Sequence, residues 1–121
     1  MEAKPDVTWR IFGMYMLIIL FMLIANTSRG QISVAQFNAS WNDANAVPWV
    51  MDLADCQTLS YVDIAANPKM QVKHKIAAIP TIIIFKDNVE VARFQADLSF
   101  KMMATREEVQ EEIDNILMSD F

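Results

Sequence analysis

The sequence predicts an α/β domain, a mixed sheet with flanking helices, preceded by one N-terminal transmembrane helix. Three observations carry that prediction. Residues 11–25 (IFGMYMLIILFMLIA) are apolar without a break. From residue 31 onward, strand-like and helix-like patterns follow one another as β-α-β-α-β-β-α, an order suited to a mixed sheet covered by helices on both faces. Within that order, residues 79–85 form a largely β-branched run followed by a short turn and a second strand. Such a run is typical of a buried central strand.

Taken in order, the apolar N-terminal run spans roughly 22 Å as a helix, at about 1.5 Å per residue, against a hydrocarbon core of about 30 Å. As a signal peptide its length fits, and Ser28, Arg29 and Gly30 before Gln31 offer small residues at cleavage positions. As an anchor it extends through Val7, Thr8 and Trp9 on one side and Asn26 to Ser28 on the other. Residues 9–28 would then occupy the bilayer, with Arg10 snorkelling to the headgroups and Trp9 and Tyr15 near the interface. Glu2 and Asp6 beside Lys4 and Arg10 make the leading residues unlike a basic leader, which favours a retained single-pass anchor. Lys4 and Arg10 against Arg29 alone point to N-inside, C-outside. Met14, Met16 and Met22 are read as lipid-facing or packing residues. The expected division is an anchor over residues 1–30 and a domain over 31–121. The expected location is an inner membrane with the domain on its exported, periplasmic side, or alternatively the mitochondrial inner membrane.

In the domain, residues 31–39 alternate as a strand, with Ile32, Val34 and Phe37 among the apolar positions. Ala46, Val47, Val50 and Met51 suggest a helix over 43–53, with Pro48 in its first turn or kinking it. Residues 59–64 read as a short strand. Asn67 as N-cap and Pro68 at the first helical position open a second helix, with Met70, Val72 and Ile76 on its apolar side. Asp87 and Asn88, which tolerate positive φ, form the hairpin turn after the central strand, and residues 89–95 return as its partner. Thr105 to Glu108 reads as a capping box, and the following helix buries Val109, Ile113, Ile116 and Leu117.

Composition narrows function by exclusion. The formal net charge is −5, from 10 Lys and Arg against 15 Asp and Glu, which argues against nucleic acid as a partner. Glu107, Glu108, Glu111 and Glu112 read as the wet face of a helix. One cysteine, Cys56, cannot form an internal disulfide, and with one histidine, His74, it makes no zinc or haem ligand set. No metal or cofactor is therefore expected.

The pattern order, with Pro80-Thr81 opening the third strand and a hairpin behind it, resembles the thioredoxin fold over roughly residues 31–119. The most specific stretches are Asn67-Pro68, Ile79-Pro80-Thr81 and Phe85-Lys86-Asp87-Asn88. The resemblance implies that Pro80 stands at the family's cis-proline, where an X-Pro bond makes the cis form cheap. It also implies that the redox motif, Trp-Cys-Gly-Pro-Cys in thioredoxins, corresponds to Trp41-Asn42-Asp43-Ala44-Asn45. Both cysteine positions, Asn42 and Asn45, are then amides. The family's buried acid maps to Gln36 and its nearby lysine to Tyr61. Dithiol exchange needs an attacking thiolate and a resolving thiol, and an amide is neither.

Cys56 lies well past that motif, with Asp52 and Asp55 before it to raise its pKa, and is read as an unreactive or partly buried thiol. His74, in the run Lys73-His74-Lys75, is read as solvated. Ser40 and Ser60 have no evident His and Asp partners. Asn38-Ala39-Ser40 and Asn26-Thr27-Ser28 match glycosylation sequons, the first inside a strand. Two features remain as candidate binding surface. By the resemblance, Ile79 before the cis-proline offers its backbone to an extended partner segment, with Trp41 as an exposed aromatic beside it. The alternative has Trp41 packed over the vestigial loop and Ile79 in the core. The stretch 96–104 (ADLSFKMMA) is more apolar than a solvated loop needs, with Leu98, Phe100, Met102 and Met103 either extending the hairpin as an edge strand or forming a docking strip. The expectation is a redox-inactive, membrane-tethered thioredoxin-like domain, not an enzyme, acting as an accessory subunit of a membrane protein complex. Its alternative is an exported peptide-binding or chaperone-like module. A remnant enzyme using Cys56 alone ranks third.

Overall fold

A computed structural model describes residues 30–119. The expected anchor, and with it Trp9, Arg10, Tyr15 and the sequon at Asn26, lies outside the described residues. Within them no helix is long and apolar enough to cross a membrane.

Four strands form one mixed sheet in the order β2-β1-β3-β4. They are β1 (Ile32–Asn38), β2 (Thr58–Asp63), β3 (Thr81–Lys86) and β4 (Val89–Gln95). β2 runs parallel to β1, and β3 and β4 are antiparallel to their neighbours, with Val34 opposite Leu59 and Ile84. Two helices, α1 (Pro68–Lys73) and α2 (Arg106–Met118), and two 3-10 turns complete the domain. β1 and β3 are central and buried on both sides, which is why their apolar residues run on instead of alternating. On one face Ile32, Val34, Ile82 and Ile84 pack with Val50, Leu53, Val109 and Ile113. On the other, Ala35, Phe37 and Ile83 pack with Ile64, Ile76 and Ile79. The expected mixed α/β sheet is thus present.

Asp87 and Asn88 turn the hairpin at φ 53° and 68°, a pair of left-handed residues whose twist matches the flanking strands. Thr105 caps α2: its hydroxyl oxygen accepts from the Glu108 N–H at 3.2 Å. The Glu108 carboxylate takes the Thr105 hydroxyl at 3.3 Å instead of the Thr105 N–H, so the box is closed side chain to side chain.

Three local expectations are corrected. No helix spans 43–53; the segment forms 3-10 turns over Ser40–Asn45 and Pro48–Asp52, separated at Ala46 and Val47. The cause is Pro48, whose ring drives the preceding Val47 out of the helical region, to φ −95° and ψ 102°. Asn67 stands at the N-cap of α1 but its side chain makes no capping bond. Val72 faces solvent at 78% exposure while Ile76 is buried. Positions 70 and 72 lie on opposite sides of a helix and cannot share a face; Ile76 reaches the core because the chain turns at Lys75, φ 53°.

Candidate functional site

Three loops meet at the C-terminal end of β1: the turn over Ser40–Asn45, the Ile79-Pro80 approach to β3, and the connection after β4. The sheet brings them together, because Phe37 pairs with Thr81 and Thr81 with Gln95. The Ile79-Pro80 bond is cis, at the position the resemblance implied.

The turn after β1 is held by side-chain amides. Asn42 is buried and donates to Asn38 Oδ1 at 3.1 Å, while Asn38 Nδ2 donates to the Asn42 carbonyl at 3.2 Å. Asn45 Nδ2 donates to Asn42 Oδ1 at 2.9 Å. Asn42 and Asn45 are therefore joined by an amide–amide hydrogen bond. Asn38 is fully buried, which removes the first sequon from any modifying enzyme in the folded chain. Gln36, also buried, reads both backbone groups of Val47: Nε2 donates to its carbonyl at 3.0 Å and Oε1 accepts its N–H at 2.7 Å. This clamp satisfies the two groups that Val47 withdraws from helical bonding. Tyr61 is directly opposite Gln36 across the β1–β2 pair. Burial raises its phenol pKa; contact with the Asn38 side chain lowers it, and the Asp43 and Asp63 carboxylates raise it, for a net increase. Neither Gln36 nor Tyr61 offers a group that exchanges protons near neutrality.

Asp63 organises the adjoining loop. Its Oδ1 accepts from the N–H groups of Ser40 at 3.2 Å, Ala65 at 2.9 Å and Ala66 at 3.4 Å. Burial opposes its ionisation, but these backbone donors outweigh it and hold the carboxyl below its usual value.

Trp41 is 67% exposed and meets Phe100 edge-on, ring centroids 5.5 Å apart. Beside them lies a groove of about 290 Å³, lined also by Ala39, Ile64, Gln71, Ile76, Ala77 and Ile79. The Ile79 side chain is buried in the core. Its backbone N–H and C=O make no hydrogen bond within the described residues. Both alternatives for this pair are thus half realised: the Ile79 side chain is core while Trp41 stands free of it.

The stretch after β4 is neither an extended edge nor one continuous strip. Asp97 Oδ1 accepts from the Ser99 hydroxyl at 2.6 Å, the Ser99 N–H at 2.8 Å and the Lys101 N–H at 3.1 Å. Phe100 sits at φ 66°, and Ala96 bridges back to Met102. An aspartate that captures nearby amides folds the chain into a turn. Met102 consequently packs on the core beneath, Phe100 goes to Trp41, and Leu98 and Met103 remain exposed.

Cys56 is half-buried against the first core face, and burial, then Asp55 and Asp114, push its thiol up to about 11. Asp55 acts as the sequence suggested; Asp114, from α2, is the acid that replaces Asp52. His74 corrects the expectation of a solvated residue. Its ring lies tilted against Phe37 at 5.1 Å and edge-on to Phe85 at 5.5 Å. Its pKa is lowered, by burial first and then by Lys73, with Arg93 adding and Glu90 opposing. The sequence reasoning missed Arg93, whose guanidinium holds the carbonyls of His74 and Lys75 at 2.6 and 3.0 Å and both oxygens of Glu90. Glu90 and Arg93 three apart in one strand carry no periodic signal. Ser40, expected to have no Asp partner, does have an acid beside it: its N–H and its side chain both reach the Asp63 carboxylate.

No protein-family model and no curated protein matches the chain. Solved structures do. A mutant thioredoxin from Halobacterium salinarum NRC-1 aligns with a TM-score of 0.57 at 18% identity, covering 70% of this chain and 74% of that one. Thioredoxin 1 from Thermosipho africanus aligns at 0.56 and 22% identity, covering 71% and 94%. The thioredoxin of Fasciola hepatica aligns at 0.51 and 21% identity, covering 84% and 91%. The chain has a thioredoxin-like fold.

Proposed function

We propose that the chain is a redox-inactive, membrane-tethered binding module, an accessory subunit that engages a partner protein at the groove between Trp41, Phe100 and Ile79. The observation that carries this reading is the joint state of the three loops. The positions that the resemblance gives to the dithiol hold amides bonded to one another, while the groove beside them keeps a largely apolar lining and the unpaired Ile79 backbone. A backbone edge next to an apolar pocket suits strand addition, in which main-chain bonds give affinity and the pocket selects a side chain. Thiol chemistry has no support from Cys56, because a thiol at about 11 carries almost no thiolate at neutral pH. The tether rests on the unbroken apolar run over 11–25.

The test is purification of full-length protein from native membranes in a gentle detergent, read by intact mass and partner stoichiometry. An uncleaved mass with a membrane protein at fixed ratio is expected, and Trp41→Ala, at an exposed position on the groove, should release that protein. A mass beginning at Gln31 in the soluble fraction, without a fixed partner, would favour the second reading, an exported peptide-binding module. The unpaired Ile79 backbone supports that reading equally.

A further inference from the structure

The two edges of the sheet are finished differently. β4 carries Glu90 and Arg93, joined at 2.8 Å, and its register against β3 shifts between Ile84 and Phe85. Past it the chain folds back, with Ala96 bridging Met102. Charges, irregular register and covering turns are the devices that keep an edge strand from pairing further. β2, the other edge, has none of them from Gln57 to Val62. That run is uncharged and holds no proline or glycine, and β2 keeps an unbroken register with β1.

The outer side of β2 is open. The Gln57 N–H donates to the Ile32 carbonyl. By the alternation of a strand, Gln57, Leu59 and Tyr61 then turn their backbone groups toward β1, and Thr58, Ser60 and Val62 turn theirs outward. Among the described residues none of these outward groups has a hydrogen-bond partner.

We infer that β2 pairs antiparallel with β2 of a second copy, about a two-fold axis at Ser60, and joins the two sheets into one. In that register Ser60 faces Ser60 of the second copy and Thr58 faces Val62 of the second copy, so every outward N–H and C=O is used. Moving the axis to Leu59 or Tyr61 would set Val62 or Thr58 against a residue outside the strand. On one face Leu59 falls opposite Tyr61 of the second copy, an aliphatic–aromatic pair of the kind that stabilises sheets. Tyr61 is 44% exposed in the single chain and free to make it. Asp63 falls opposite Gln57 of the second copy, so no carboxylate meets another. The edge is thus complementary to itself, as a two-fold contact requires, and that selects a second copy over an unrelated strand. The contact uses no residue that lines the groove, so it stands or falls apart from the function proposed above.

The test uses the full chain with Cys56→Ser in a gentle detergent, single cysteines on β2 and mild oxidation. Residues directly opposed in a hydrogen-bonded antiparallel pair lie about 5.5 Å apart between Cα atoms, within the roughly 4.4–6.8 Å that a disulfide bridges. Ser60→Cys should therefore give a covalent dimer. Thr58→Cys alone should not, because its counterpart lies four residues along, roughly 13 Å at about 3.3 Å per residue. Thr58→Cys mixed with Val62→Cys should give the mixed dimer. Without oxidation, sedimentation should show a dimer that Ser60→Glu weakens at least tenfold, by setting two carboxylates face to face. Mixing Ser60→Glu with Ser60→Lys should restore it, which a misfolded variant could not do. A monomer with no Ser60→Cys dimer would overturn the proposal. So would a dimer unaltered by Ser60→Glu, which would place the contact elsewhere. Bridging by Thr58→Cys alone as fast as by Ser60→Cys would overturn the register.

Discussion

The segment that follows β1 borders the groove through Trp41, β3 begins just past the groove residue Ile79, and different chemistry holds each in place. β3 is fixed by hydrocarbon: Ile82, Ile83 and Ile84 are fully buried and pack on both faces of the sheet. Residues 40–52 contribute little to either core beyond Val47 and Val50, and are positioned by amides: Asn38, Asn42 and Asn45 in a ladder, and Gln36 on Val47. A further amide, Gln110 of α2, clamps the N–H and C=O of Ala54 at 2.8 and 3.1 Å. Burial is non-directional and tolerates repacking, whereas each amide bond is geometric and costly to leave unmade. The groove thus adjoins a strand set by packing and a segment set by hydrogen-bond geometry.

Four measurements would break or sharpen that contrast. The largest effect is expected in β3: Ile83→Ala should cost about 3–4 kcal/mol in urea unfolding, from lost transfer energy and a cavity. Gln36→Leu should follow at about 2–3 kcal/mol, since it strands the N–H and C=O of Val47 in a buried place. Gln36→Glu is the sharper companion. A carboxylate faces the Val47 carbonyl unfavourably and only its protonated form can donate to it, so the folded-state pKa should rise. Its stability contribution is then present at low pH and lost as pH rises through that pKa. If Gln36→Leu proves neutral, the amide account of this segment fails.

Asn42→Ala should cost about 1–2 kcal/mol and speed hydrogen exchange over residues 40–45 while leaving β3 protected. Uniform acceleration would show that the strand and the segment are one cooperative unit. The smallest effect belongs to His74. Its folded pKa is lowered below 6.5, so the neutral ring's contribution is complete above the unfolded value and is lost as pH falls below about 6.5. The unfolding midpoint should decline between pH 7 and 5, and His74→Gln should flatten that decline.

Much of the packed region was legible in the sequence. A β-branched run, a two-residue turn of left-handed formers and a Thr-Glu cap act through their own backbone, so position and identity suffice to place β3, the hairpin and the start of α2. The amide-held segment was legible only in part. Pro48 carried the warning that Val47 leaves the helical region, yet apolar spacing over 46–51 reads as a helix because a 3-10 turn buries the same residues. Nothing local marks Gln36 as the partner of Val47, or Arg93 as the partner of the His74 carbonyl, across separations of 11 and 19 residues.

By itself the sequence determined the mixed sheet, the central strand, the hairpin and the presence of a single cysteine, because each follows from local backbone preference or from residue identity. Only the tertiary structure decided that Asn42 and Asn45 bond to each other, that Phe100 folds back on Trp41 instead of extending an edge, and that His74 lies between two aromatic rings. These are pairings between side chains brought together by sheet register and by turns, and distance in space leaves no periodic trace along the chain.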